Sequence, residues 1–117
     1  MSQRIENWMN GYRKAWESND SDDIRALFGE DATYRTAPFR EPWRGIEQIV
    51  EGWLDVRDEP GETEFTWFVV NEVGDRAFVQ GETVYRNAET YSNLWVIDLQ
   101  DDGRASSFTE WWMEQTD

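Results

Sequence analysis

An α+β fold, with three N-terminal helices packed on one face of a strongly curved, mainly antiparallel sheet, is the architecture this 117-residue sequence predicts. Two observations predict it. In the first half of the chain, apolar residues recur at helical spacing; beyond residue 62 the pattern changes to runs of β-branched and aromatic residues separated by turn residues. Helices followed by a run of strands is the order found when helices cover one side of a sheet. The length fits a single domain over residues 1–117.

The first helix carries Ile5, Trp8, Met9, Tyr12, Ala15 and Trp16 on one stripe, with polar residues on the rest of its surface. The run Ser18-Asn19-Asp20-Ser21 supplies a stop and then an N-cap, and Asp22 and Asp23 suit the positive end of a short second helix running to Phe28. Gly29 is expected to end that helix, and Ala32 to Thr36 to form a short strand closed by Ala37-Pro38. Phe39 to Arg44, interrupted by Pro42, reads as irregular and leads to Gly45, where a third helix begins with Ile46, Ile49, Val50 and Trp53 on its buried face.

Asp58 to Glu62 reads as a turn, and four strands follow at about Thr63–Glu72, Arg76–Arg86, Thr90–Leu99 and Arg104–Met113. Gly74-Asp75, Asn87-Ala88-Glu89 and Asp101-Asp102-Gly103 separate them, which predicts an antiparallel meander. Gly81 inside a strand is read as a bulge that bends the sheet. In the first of these strands Phe65, Trp67 and Val69 alternate with Thr66, Phe68 and Val70, so both faces are apolar, and a second subunit is expected on the outer one.

Composition narrows the chemistry. Eight Trp, six Phe and four Tyr supply an aromatic core. Eleven basic against 25 acidic residues leave a net charge of −14, which disfavours nucleic acid and anionic membrane surfaces as partners, and Lys14 is the only lysine. Cysteine and histidine are both absent, which excludes thiolate nucleophiles, disulfides, zinc held by Cys or His and any Ser-His-Asp triad. Acid–base work is left to Asp, Glu, Tyr or Lys14. The first residues form no apolar run and no stretch approaches the roughly 20 apolar residues of a membrane span, so a cytoplasmic protein is expected. The eight glycines are scattered singly, without a dinucleotide or phosphate-loop pattern, and no cofactor is implied.

Three features point to a site. Glu110 lies between Phe108 and Trp112 on one face of the last strand, where an acid is unexpected if that face is buried; among indoles its pKa would rise into a range useful for proton transfer. Pairing with an arginine such as Arg86 or Arg35 is the structural alternative. Asn93 is a polar residue in the apolar alternation Tyr91, Asn93, Trp95, Ile97, either a donor to a ligand oxygen or a satisfied core amide. Trp16, Trp53, Trp95 and Trp112 are core residues or the lining of a pocket for a flat, apolar ring. The acidic clusters Asp20-Ser21-Asp22-Asp23 and Asp101-Asp102-Gly103 lack the full spacing of a calcium loop and read as a cap and a turn, so no metal site is expected.

Several strings carry a resemblance: Asp22-Asp23-Ile24-Arg25-Ala26-Leu27-Phe28-Gly29-Glu30-Asp31-Ala32-Thr33, then Gly45-Ile46-Glu47-Gln48-Ile49, then Asp101-Asp102-Gly103-Arg104 ahead of Glu110-Trp111-Trp112. In these and in element order the chain resembles the SnoaL-like group of the nuclear transport factor 2 (NTF2)-like superfamily over nearly its whole length. The resemblance implies a cone with an apolar pocket at its open end and, commonly, a homodimer across the sheet. It does not name an activity, because relatives include isomerases, cyclases, epoxide hydrolases, dehydratases and noncatalytic domains.

By the same resemblance Tyr12 matches the helix-1 tyrosine that donates to an oxyanion in ketosteroid isomerases, although it also sits on the apolar stripe. The general-base aspartate of those isomerases falls on Thr36 or Ala37, neither of which takes a proton, which argues against steroid isomerisation by their mechanism. Thr36 is retained as a ligand contact. Epoxide hydrolysis lacks support, since Asp98 falls on the opposite face from Asn93. The function expected is binding of a small apolar or aromatic molecule, with Glu110, Tyr12 and Asn93 serving an isomerase, cyclase or dehydratase-type proton transfer. The alternative is a noncatalytic ligand-binding or dimerisation module.

Overall fold

In the computed structural model, residues 3–55, 63–85 and 89–115 are described. The elements are α1 (Gln3–Ser18), α2 (Ser21–Arg25), β1 (Phe28–Arg35), β2 (Trp43–Arg44), α3 (Gly45–Asp55), β3 (Thr63–Val73), β4 (Arg76–Tyr85), β5 (Thr90–Leu99) and β6 (Ala105–Glu114). The turn expected at Asp58 to Glu62, like Asn87 and Ala88, lies outside the described residues.

The stripe on α1 is buried as its spacing requires: Ile5, Trp8, Met9, Tyr12 and Ala15 face the core. Asn19 stops the helix in the left-handed region at φ 52°, its N–H bonded to the Ala15 carbonyl at 2.8 Å. Asp20 then caps α2 by accepting from the Asp22 amide at 2.8 Å. Gly29 does not end that helix. The chain is already extended from Phe28, because Phe28 is fully buried and the Ala105 amide bonds the Leu27 carbonyl at 2.7 Å, which starts the sheet earlier than local propensity suggests.

The sheet order is β2-β1-β6-β5-β4-β3. Strands β3 to β6 form the expected antiparallel meander, with Gly74 (φ 59°) and Gly103 (φ 90°) in the left-handed conformation that its tight turns need. The pairing of β1 parallel to β6, with Tyr34 opposite Phe108 and Arg35 opposite Thr109, is a long-range contact that hairpin reasoning does not reach. It sets the first strand second from one edge of the sheet, alongside the strand that carries Glu110.

One sheet face receives α1 and α3. Ala77 and Val79 of β4, Trp95, Ile97 and Leu99 of β5, and Phe108 of β6 join Ile49, Val50 and Trp53 of α3 in one core. Gly81 is not a bulge, since the register runs unbroken through Trp67, Gly81 and Asn93. A Cβ at Gly81 would lie 2.5 Å from the Trp95 ring and 2.7 Å from the Thr66 carbonyl, so the glycine makes room for an indole. The register shifts occur between Phe28 and Thr33, between Val69 and Asn71, and between Asp98 and Leu99. No helix among the described residues is long and apolar enough to cross a membrane.

The outer face is apolar at its centre, as the alternation in β3 predicts. Phe68, Leu94 and Trp111 are exposed, in a row that crosses the sheet through Gln80.

Candidate functional site

Glu110 points to the inner face from the middle of β6, opposite Trp95 of β5, and is half-buried. The Trp95 indole N–H donates to its Oε2 at 2.7 Å. Among the described residues no arginine or lysine forms an ion pair with it; Arg35, one of the partners considered from sequence, donates instead to the Arg40 carbonyl, and Arg86 lies outside the described residues. Burial therefore pushes its carboxyl up to about 7, against the smaller opposing effect of the Trp95 hydrogen bond. A single indole donor does not compensate a carboxylate for lost water.

Beneath it lie two phenols. The hydroxyls of Tyr12 on α1 and Tyr34 on β1 are 3.3 Å apart and buried. Burial raises the pKa of both above the usual tyrosine value and the negative charge of Glu110 adds to the effect, so both stay protonated while Glu110 titrates. The Trp16 side chain hydrogen-bonds the Tyr12 hydroxyl. Tyr34 is sandwiched between Phe108, at 4.5 Å between ring centroids, and Trp43, at 4.8 Å. Sequence reasoning missed Tyr34; alternation from the inward-facing Ala32 carries the signal, but its partners depend on the β1–β6 pairing.

Asn93 is buried on the inner face opposite Trp112, and its Oδ1 accepts from the Thr83 hydroxyl. This leaves the amide N–H groups of Asn93 as its remaining donors on that face. Thr83 was also not singled out from sequence, because it meets Asn93 diagonally across the β4–β5 hairpin.

The four tryptophans divide. Trp53 and Trp95 are fully buried, Trp16 is half-buried and stacks on Trp53 at 4.5 Å, and Trp112 is 48% exposed with its ring edge on Tyr91. Trp53 and Trp95 are thus core residues, and Trp112 stands at the exposed end of the inner face. Thr36 is half-buried in the bend after β1; it and Glu110 each directly follow the Arg35–Thr109 pair. Asp98 lies on the outer face, held by Arg76 through two hydrogen bonds of 2.7 and 2.9 Å, away from Asn93.

A separate groove of about 420 Å³ runs along the other side of α1, lined by Arg4, Trp8, Lys14, Leu27, Asp102 and Arg104 among others. Several of its polar groups are engaged: Lys14 pairs with Asp23 and Arg104 with Asp102, Trp8 donates to the Leu27 carbonyl, and Arg4 reaches out of the groove to Asp75. Glu110, Tyr12, Asn93, Thr36 and the four tryptophans considered for a ligand pocket do not line it. The acidic clusters act as the cap on α2 and as a turn in which Asp102 accepts from the Arg104 amide at 3.0 Å.

Helices packed on one face of a mostly antiparallel sheet, with a carboxyl and two phenols on that face, define a fold rather than one reaction. The chain belongs to the SnoaL-like domain family, which it matches over residues 9–112. Among solved structures it is similar to an NTF-2 like protein of unknown function from Burkholderia xenovorans LB400, at 14% identity and a TM-score of 0.78 over 98% of this chain and 87% of that one. It is similar to a steroid delta-isomerase from Pseudomonas aeruginosa, at 15% identity and a TM-score of 0.67, covering 97% and 82% of the two chains. An LEH-like epoxide hydrolase from M. tuberculosis matches at 14% identity and a TM-score of 0.66, covering 96% and 84%. At these identities the likeness establishes the fold. No curated protein matches the chain significantly.

Proposed function

We propose that the chain binds a small apolar or aromatic ring compound against the inner face of its sheet, and that Glu110 moves a proton on it in an isomerase, cyclase or dehydratase-type reaction. The observation that supports this best is Glu110 itself: a half-buried carboxyl without an ion-pair partner among the described residues, near half-ionised at neutral pH. Such a group both takes and returns a proton at little cost, which is what general acid–base catalysis needs.

The other groups have supporting parts. Tyr12 and Asn93 donate to the ligand oxygen that gains charge when Glu110 takes a proton, and being neutral they do so without an added charge to desolvate. Trp16 and Trp112, the two of the four indoles that are not fully buried, supply flat apolar surface, and Thr36 borders the ligand beside Glu110. The resemblance to ketosteroid isomerases would put their base at Thr36 or Ala37, neither of which takes a proton, so in this reading the proton transfer is assigned to Glu110 on β6 instead.

Intrinsic tryptophan fluorescence, titrated with ring ketones, steroids, terpenoids and polyketide-like aromatics, tests binding; turnover of whichever compound binds is then compared with Glu110→Gln. Loss of turnover by 100-fold or more with retained binding supports the catalytic reading. Binding without turnover in the wild type supports the noncatalytic module in its place.

A further inference from the structure

The groove on the other side of α1 carries a charge opposite to that of the chain as a whole. Three basic side chains, Arg4, Lys14 and Arg104, and two carboxylates, Asp23 and Asp102, line it, an excess of one positive charge on a chain whose net charge is −14. The groove is concave because small residues line its middle. Gly11 lies inside α1, where glycine is unfavourable, and a Cβ there would stand 3.0 Å from Leu27 Cδ2, so Leu27 packs onto bare helix backbone. Ala26, beside Leu27, adds only a methyl group.

Most of the acceptors in the groove are taken, whereas several donors are not. One oxygen of Asp102 accepts from the Arg104 amide and Gln100 Nε2, and the other accepts from the Arg104 guanidinium. Asn7 Oδ1 accepts from Gln3, the Leu27 carbonyl from Trp8 and Ala105, and Asp23 from the Ser18 hydroxyl. Arg4 is directed outward, to Asp75 at 3.1 Å and the Gln100 carbonyl at 2.9 Å. Lys14 Nζ stands 3.6 Å from Asp23, beyond hydrogen-bond distance, on a side chain that is 72% exposed. Among the described residues, Lys14 Nζ, the Asn7 amide N–H groups and Arg104 Nη1 donate to no protein acceptor. We propose that this groove is a second binding site, for a small organic carboxylate whose charge is met by Lys14 and Arg104 and whose apolar part lies on Ala26, Leu27 and Trp8. A single negative charge suits two cations that each already face an aspartate, and about 420 Å³ is room for a small ligand. The site is independent of the Glu110 face.

Amide shifts of the ¹⁵N-labelled chain, titrated with 4-phenylbutyrate, test this beside 4-phenylbutan-1-ol, which lacks the charge, and acetate, which lacks the apolar part. Phenylbutyrate is expected to shift the amides of Gly11, Ala26, Leu27 and Gly103 saturably, and the alcohol and acetate to bind about fivefold more weakly or less. Lys14→Gln and Arg104→Gln should each weaken phenylbutyrate by about three- to fivefold and leave the alcohol within about twofold. Added salt should weaken the acid and not the alcohol. Because Lys14 is exposed, its variant keeps the test decisive if Arg104→Gln disturbs the turn. Equal affinity for acid and alcohol, or phenylbutyrate binding unchanged in Lys14→Gln, removes the charge recognition and overturns the inference. Acetate binding as tightly as phenylbutyrate overturns the class of ligand. Shifts confined to the Glu110 face, or no saturable shift with phenylbutyrate, overturn the site.

Discussion

Trp95 donates its indole N–H to Glu110 at 2.7 Å, joining the two residues that face each other across the centre of β5 and β6. The contact puts a titrating carboxyl on a fluorophore that is 1% exposed. Tryptophan emission is therefore expected to change with pH around a midpoint of about 7, the value to which burial pushes Glu110. In Glu110→Gln the transition near neutrality should vanish; its persistence would assign the titration to another group.

The same shift makes stability depend on pH. Between the ordinary carboxylate value of 4.5 and about 7, folded chains hold a proton on Glu110 that unfolded chains have lost. Stability from this group is therefore greatest below 4.5, falls as pH rises through the window by on the order of 3 kcal/mol, and is level above it. Urea unfolding of wild type and Glu110→Gln at pH 5 and pH 8 checks this: the variant should gain relative to wild type at pH 8. A variant less stable at pH 8 would mean that the carboxylate has a charge partner after all.

Gly81 supports Trp95 from the neighbouring strand. Its replacement by alanine places a methyl group 2.5 Å from the indole. Gly81→Ala should destabilise the protein by about 1–3 kcal/mol through overpacking and, by displacing Trp95, alter the emission change with pH. Urea unfolding and the same fluorescence titration measure both effects.

Phe68, Leu94 and Trp111 form an exposed apolar row on the outer face. Burying that row against a second copy removes it from water, so a homodimer is the expected state in solution. Sedimentation should give twice the chain mass for wild type and the chain mass for Leu94→Glu or Trp111→Glu. A monomeric wild type would remove the outer face as an interface.

Much of this protein is set by local patterns. The stripe from Ile5 to Ala15, the cap at Asp20, the start of α3 at Gly45, and the strand from Thr90 to Leu99 follow from spacing, capping and turn chemistry, which operate within a few residues. Strand alternation alone puts Glu110 on the same face of its strand as Phe108, and Asn93 and Asp98 on opposite faces of theirs; that Glu110 and Asn93 share a face comes from the register between β5 and β6.

Tertiary structure decided the rest. The parallel pairing of β1 with β6 joins residues more than 70 positions apart, and that pairing sets Tyr34 against Phe108. The packing of α1 on the sheet then brings Tyr12 to Tyr34, and the hairpin register brings Thr83 to Asn93. Even Gly81, which reads locally as a bulge, is explained only by the indole that fills its missing side chain. Local sequence sets which residues point inward; which of them meet, and how far water is kept from Glu110, depends on contacts between distant segments whose energy exists only once the core has closed.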